Sequence, residues 1–252
     1  MAEALKASRE KAIATAVVVL AALAILISLG TWQVERLHWK EGLLAQIEER
    51  RKAAPAPLVD VERAVAAGED VEYRRVSVTG TFDHVRERHF FATFEGRSGF
   101  YIYTPLRLES GQVLFVNRGF VPYDMKEAAT RQAGQVAGEV TLTGYARDRL
   151  AEKPSWLVPD NDVAKNIFYW KDMDAMISSA KLDPASVLPF FVDADETVTN
   201  PGGLPRGGVT QFDLPNNHLQ YALTWYGLAL ALVAVVIGMR FRKRTPQEAG
   251  KT

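Results

Sequence analysis

Two stretches of this chain, Ala12–Trp32 and Leu219–Met239, hold no charged residue and are almost wholly apolar. Each is about 21 residues long, enough for an α-helix to cross a hydrocarbon core of about 30 Å. Neither has a polar face, so neither reads as the amphipathic helix of a soluble domain. The sequence therefore predicts two membrane spans separated by one long outer segment.

The summed charge of zero over 252 residues hides an uneven distribution. Lys6, Arg9 and Lys11 precede the first span, against Glu3 and Glu10. Arg240, Arg242, Lys243, Arg244 and Lys251 follow the second, against Glu248 alone. Residues 33–217 carry 22 basic and 27 acidic side chains. Long loops translocate whatever their charge, so the basic ends set the orientation and place both termini inside. The first apolar run exceeds the 7–15 residues of a signal-peptide core and lacks a good small-x-small cleavage site, which favours a retained anchor. With no cysteine, the outer segment has no disulfide, thiolate chemistry or Cys-ligated metal, and must stand on its own core.

Residues 34–52 continue the helical pattern out of the first span, and Trp32, Arg36, Trp39 and Leu43 share one face. Ala54-Pro55-Ala56-Pro57 reads as a stiff extended linker, followed by a helical turn near residues 61–67. From Tyr73 the period becomes alternating. Residues 75–82, 89–94, 100–106, 113–118, 140–146 and 187–192 are rich in aromatic and β-branched residues and read as strands. Gly-containing turns at 95–99 and 109–111 join them into hairpins, and residues 171–180 read as a helix. Such a pattern predicts an antiparallel sheet or barrel. The Gly- and Pro-rich run 200–208 leads back to the membrane.

Four histidines are the candidate ligands. His84 and His89 lie among charged residues and are expected to be exposed structural side chains. His38 is an incidental interfacial residue on the extended helix. His218 directly precedes the second span, and His218, Tyr221, Trp225, Leu228 and Leu232 form one helical stripe. An imidazole above such a stripe suits the iron of a flat apolar macrocycle such as haem, but the spacing alone favours an aromatic belt at headgroup level with a histidine beside it. Gln220, Thr224, Gly227, Ala231, Ala234 and Gly238 form a small-residue stripe, as do Ala21, Ala24 and Ser28 in the first span; each offers a close-packing face. Met173 and Met176 read as core rather than a copper site. No catalytic triad, phosphate loop or H-E-x-x-H is present, so an enzyme is not supported.

Five ordered motifs carry a family resemblance. They are Leu29-Gly30-x-Trp32-Gln33-x-x-Arg36-Leu37-x-Trp39-Lys40-x-x-Leu43, Tyr73-Arg74-Arg75-Val76-x-Val78-x-Gly80-x-Phe82 and Gly99-Phe100-x-x-x-Thr104-Pro105-Leu106. The fourth is Val116-Asn117-Arg118-Gly119-Phe120-Val121-Pro122, with Phe120 where Trp is more usual. The fifth is Pro215-Asn216-Asn217-His218-Leu219-Gln220-Tyr221-Ala222-Leu223-Thr224-Trp225-Tyr226-Gly227. Nearly end to end, the chain resembles the Surfeit locus protein 1 family of cytochrome c oxidase assembly factors.

The resemblance implies a non-catalytic chaperone in respiratory-chain biogenesis that binds haem a transiently and passes it towards the oxidase catalytic subunit. His218 would ligate the iron, Tyr221, Trp225 and Trp32 would contact the macrocycle, and Arg36 and Lys40 would pair with propionates. Haem a synthase and membrane lipid are implied partners, with no nucleic acid. Only about eleven residues, including Glu3 and Glu10, precede the first span, unlike a mitochondrial presequence. The expected protein thus sits in a bacterial inner membrane, with two transmembrane helices (N-in, C-in) flanking a β-rich α+β periplasmic domain. The expected boundaries are a cytoplasmic tail 1–11, spans 12–32 and 218–239, a juxtamembrane helix and linker 33–57, the β-rich domain 58–217 and a tail 240–252. A structural chaperone that never touches haem is the alternative.

Overall fold

A computed structural model describes residues 2–242. Lys243, Arg244, Glu248 and Lys251, which enter the charge argument above, lie outside the described residues. The chain divides into two compact units. One is drawn from the chain ends, up to Gln46 and from Asp213; the other is Ile47–Phe212.

The first unit holds most of α1 (Ala2–Lys52) and all of α4 (His218–Arg242). Both helices are long and apolar enough to cross a membrane. Because no Pro interrupts residues 2–52, α1 runs unbroken through and beyond its apolar stretch.

The second unit is a small barrel. Its elements are β1 (Ala56–Pro57), α2 (Leu58–Ala66), β2 (Arg75–Phe82), β3 (Arg88–Phe94), β4 (Arg97–Arg107), β5 (Val113–Pro122), β6 (Glu139–Asp148), α3 (Met173–Ser179) and β7 (Val187–Ala194). Strands pair in the order β1-β2-β6-β7-β5-β4-β3, and β2 also pairs β4 through Thr81–Arg107 and Phe82–Leu106. That second pairing closes β2, β6, β7, β5 and β4 into a five-stranded ring, with β3 and β1 as flanking additions.

Two expectations need revision here. The sheet is not purely antiparallel: β7 returns after the α3 segment to lie parallel to β5, with Phe115 beside Phe191. A strand arriving by a crossover rather than a hairpin is free to take that direction. Nor is the Ala54–Pro57 stretch a bare linker, since Ala56 and Pro57 pair in parallel with Val76 and Ser77. Proline is tolerated there because β1 lies on the sheet edge.

Alternation explains the core. Val76, Val78, Leu142, Leu114, Phe190 and Val192 are fully or almost fully buried in one cluster, against which α2 sets Val61 and Ala64. Tyr103, Phe115 and Phe191 belong to a second cluster with Phe168 and the α3 residues Met173, Met176 and Ile177. β7 therefore buries both faces, which is why it reads as a continuous apolar run. The two methionines are core, as the sequence indicated. The end of α1 belongs to this unit as well: Ile47 is buried, and Arg50 Nη1 donates to Asp70 Oδ2 at 2.9 Å and to the Glu72 carbonyl at 2.7 Å.

Candidate functional site

Each unit contains a polar constellation with histidine in it. In the helical unit, α1 and α4 meet along a seam. Half-buried or buried positions of α1 recur at Ala22, Leu26, Leu29 and Gly30, Gln33, Leu37 and Lys40, the three-and-four spacing of a packed helix face. On α4 the matching positions are His218, Ala222, Trp225 and Tyr226, Ala229, Leu232 and Val236.

Gly30 lets the helices approach, because a Cβ there would lie 2.7 Å from the Tyr226 ring. Thr31 Oγ1 is 3.1 Å from the Tyr226 hydroxyl. At the start of α4, His218 Nδ1 lies 2.7 Å from Gln33 Oε1. His218 pairs with a later residue of α1 than Tyr226 does, so the helices run antiparallel.

Gln33 is 9% exposed and His218 is half-buried. His218 Nε2 has no hydrogen-bond partner among the described residues. Two residues earlier, Asn216 Oδ1 is buried and likewise without a partner among them.

The six expected site residues do not form one closed contact set. Trp32 and Tyr221 are about half exposed, at 49% and 54%, Trp225 and Lys40 are partly buried, and the Arg36 guanidinium stacks 4.5 Å from the Trp39 ring centroid. They do share a side. At ~100° per residue, Trp32, Arg36 and Lys40 fall to one side of Gln33, and Tyr221 and Trp225 to the corresponding side of His218. In an antiparallel pair these two sets open in the same direction, and Gly30, Thr31 and Tyr226 close the opposite one. An imidazole with one ring nitrogen open among the described residues, on the side to which helical register also assigns three aromatic residues and two cations, can hold a planar anionic metal complex side-on.

The two small-residue stripes are not the seam. Gln220, Thr224, Gly227, Ala231, Ala234 and Gly238 are all exposed, as are Ala21, Ala24 and Ser28. The seam instead uses one glycine under a tyrosine, with Ala222 and Ala229 buried on the same face of α4. Sequence reasoning missed Gln33, Thr31 and Tyr226 as site residues. The signal was present: Gly30, Gln33, Leu37 and Lys40 repeat at three-and-four spacing.

In the barrel unit the expectation for His84 and His89 fails. His89 is 4% exposed, and its Nε2 lies 2.9 Å from Glu87 Oε1, which also accepts from Arg131 Nη2. His84 is half-buried, with Nε2 2.8 Å from the Val136 carbonyl and Nδ1 3.3 Å from Arg118 Nη1. Their charged neighbours suggested a wet surface, but Glu87, Arg118 and Arg131 are themselves buried. His38 is exposed.

Burial pushes the His84 imidazole below its ordinary pKa, and the nearby Arg118 adds to that. Burial alone would raise the Glu87 carboxyl; the bonds from His89 and Arg131 outweigh it and hold the group below the usual carboxylate range. Arg118, brought down to about 10 chiefly by burial, stays charged at neutral pH. Its Nη2 donates to the Gly134 carbonyl and to Asn200 Oδ1, each at 2.6 Å, and its guanidinium lies over the Phe82 ring.

The adjacent residues of that strand are just as constrained. Asn117 Nδ2 donates to Asp193 Oδ1 at 3.0 Å, and Gly119 has φ of 121° with the Arg206 carbonyl 1.9 Å from where a Cβ would stand. Only glycine fits there. This constellation is wired for the fold rather than open to a ligand.

Comparison with known proteins fits both halves of the chain. A model of the SURF1 family matches residues 20–230. The chain belongs to the SURF1 family. It is 40% identical to rat Surfeit locus protein 1 (Rattus norvegicus) over 234 residues, covering 86% of this chain and 72% of the relative. It is also 40% identical to the Homo sapiens protein of the same name over 220 residues, covering 81% and 70%. A SURF1-like protein of Monosiga brevicollis is 38% identical over 224 residues, covering 84% and 82%. The SURF1 match spans Gly30, Gln33, the Asn117-Arg118-Gly119 segment of β5 and His218, so it includes both constellations.

Proposed function

We propose that this chain is a membrane-anchored assembly factor for a haem-a-containing cytochrome c oxidase. In this role it binds haem a at the outer membrane boundary and assists its delivery to the catalytic subunit. The observation that carries the proposal is the His218 imidazole, held through Nδ1 at the end of a paired helix with Nε2 unengaged among the described residues. Both α1 and α4 cross the membrane in this reading of a bacterial inner membrane, with the basic ends cytoplasmic and the β-rich domain 58–217 periplasmic.

The cargo is a flat, largely apolar iron macrocycle with two propionates and a long isoprenoid tail. Such a molecule partitions into the bilayer, so the receiving site must open sideways into lipid. The donor set fits that demand. One neutral imidazole binds iron and releases it again, as a carrier must. Tyr221, Trp225 and Trp32 offer ring faces beside it. Arg36 and Lys40 lie one and two turns beyond Gln33, where their cations meet carboxylates at headgroup level. Tyr226 packed on Gly30 braces the far side of the pair. Haem a synthase is the source, the oxidase catalytic subunit the acceptor, and lipid the medium between them.

The experiment is to purify the full chain from cells that also make haem a synthase and record its absorption spectrum. Haem a should accompany the wild type and be lost from His218→Ala. A spectrum that the substitution leaves unchanged removes His218 from the mechanism.

One observation favours a second reading. The small-residue face of α4 from Gln220 to Gly238 is exposed, and among the described residues nothing lies within 4 Å of where a Cβ on Gly227 or Gly238 would stand. Another membrane helix can pack closely there. A chaperone using that face would co-purify with an oxidase subunit and carry no haem.

A further inference from the structure

We propose that Gln33 is a positioning residue. It holds the single proton of neutral His218 on Nδ1, and so presents the Nε2 lone pair as the ligand atom. The inference rests on the haem-binding reading for its purpose, but its geometry stands apart from any cargo.

The Oε1 of a glutamine amide only accepts hydrogen bonds. An imidazole nitrogen 2.7 Å from it must therefore carry hydrogen. Neutral imidazole has one N–H, so placing it on Nδ1 leaves the lone pair on Nε2.

The location makes this bond directive. Gln33 is almost fully buried in the seam, so its side chain is confined rather than sampling solvent. Burying an amide without a partner is costly, and the described bond that satisfies its oxygen comes from His218. The helix register that brings them together is fixed nearby by Tyr226, whose ring fills the space above Gly30 and whose hydroxyl meets Thr31. Four residues of two helices thus hold one ring in one orientation.

The consequence is chemical. An imidazole whose Nδ1–H donates to an acceptor is a stronger ligand at Nε2, and its ring plane no longer swings. Gln33 has a second merit for a carrier. A carboxylate at this position would draw the proton more strongly and tighten iron binding, whereas a neutral amide orients the ring and still permits release.

The test uses the full-length protein in nanodiscs with ¹⁵N-labelled histidine. His218 is assigned by its loss in His218→Ala, and spectra are taken at mildly alkaline pH. Wild type should show His218 as the Nδ1–H tautomer. Gln33→Leu should shift the population towards Nε2–H, the form an unrestrained imidazole favours. Gln33→Glu should keep Nδ1–H, showing that the acceptor rather than the bulk of residue 33 sets the tautomer.

A second arm measures haem a retained after co-expression with the synthase. Gln33→Leu should lower retention on the order of 10- to 100-fold, the usual cost of removing such a ligand partner. Gln33→Glu should recover it and lower the reduction potential of the bound iron.

Finding the wild-type proton on Nε2, or a tautomer indifferent to Gln33→Leu, overturns the inference. If the tautomer follows residue 33 but no haem a is retained by wild type, Gln33 still positions His218 and the haem-carrier reading fails on its own.

Discussion

The histidines of the two units differ in how much of each ring is already spoken for. His89 and His84 have partners at both nitrogens: Glu87 and Asn166 for the first, Val136 and Arg118 for the second. His218 has a partner at Nδ1 alone among the described residues. A saturated imidazole is a cross-link, whereas a half-engaged one keeps a ring nitrogen for another partner. Burial sharpens the contrast, because the barrel pair sits among buried arginines and a buried glutamate while His218 stands half-buried at the start of α4. Burial and histidine count therefore do not separate the two units; unused bonding capacity does.

The largest test of this contrast is Glu87→Ala. It leaves Arg131 buried without its carboxylate, and a broken buried pair costs about 3–5 kcal/mol. Denaturant unfolding of the full chain should show that loss in the barrel, with the α1–α4 contact intact. A wild-type midpoint would mean the cluster holds nothing together.

Next is Gly30→Leu, which drives side-chain atoms into the Tyr226 ring and should cost about 1–3 kcal/mol of helix pairing. The chain lacks cysteine, so a short bismaleimide between Gln33→Cys and His218→Cys reports the pairing without background. Adding Gly30→Leu should cut the crosslinked fraction sharply, and an undiminished yield would mean the helices do not meet here.

Acid separates the two units more gently. His84 is held below its ordinary value of 6.5, so the unfolded chain takes up its proton first. The stabilisation is complete above that value and declines as pH falls through it towards the depressed folded value. Glu87 contributes in the same direction at lower pH, present above the ordinary carboxylate range and lost as pH falls through its depressed folded value. His84→Asn should flatten the first part of the decline; an unaltered pH profile would show that the ring does not titrate with unfolding.

The smallest stability effect belongs to His218→Ala. It should change barrel stability by less than about 0.5 kcal/mol, as a substitution outside that core does. Thermal melts of His218→Ala beside His89→Ala would measure the asymmetry directly.

Much of the fold was readable because periodicity reports burial. The charge-free runs became α1 and α4, and the alternating segments became β2 to β7 within a few residues of their expected ends. Closure of the ring was not readable, since the pairings Thr81–Arg107 and Phe82–Leu106 leave no local mark. Within the site, His218 and its stripe were visible from spacing, but its partner lies 185 residues away. His84 and His89 misled for a related reason. Charge in a strand suggests solvent unless the segments that cover it are known, and here Arg131 and Asn166 arrive from later in the chain.

The position of β7 between β5 and β6 has a bearing on synthesis. Until residues 187–194 emerge, β5 and β6 each present an unpaired edge, and such edges invite pairing with other chains. Only residues 195–217 then separate that late insertion from α4. A chain stalled or cleaved before Val187 would expose sticky, half-built sheet, and cellular quality control should remove it quickly.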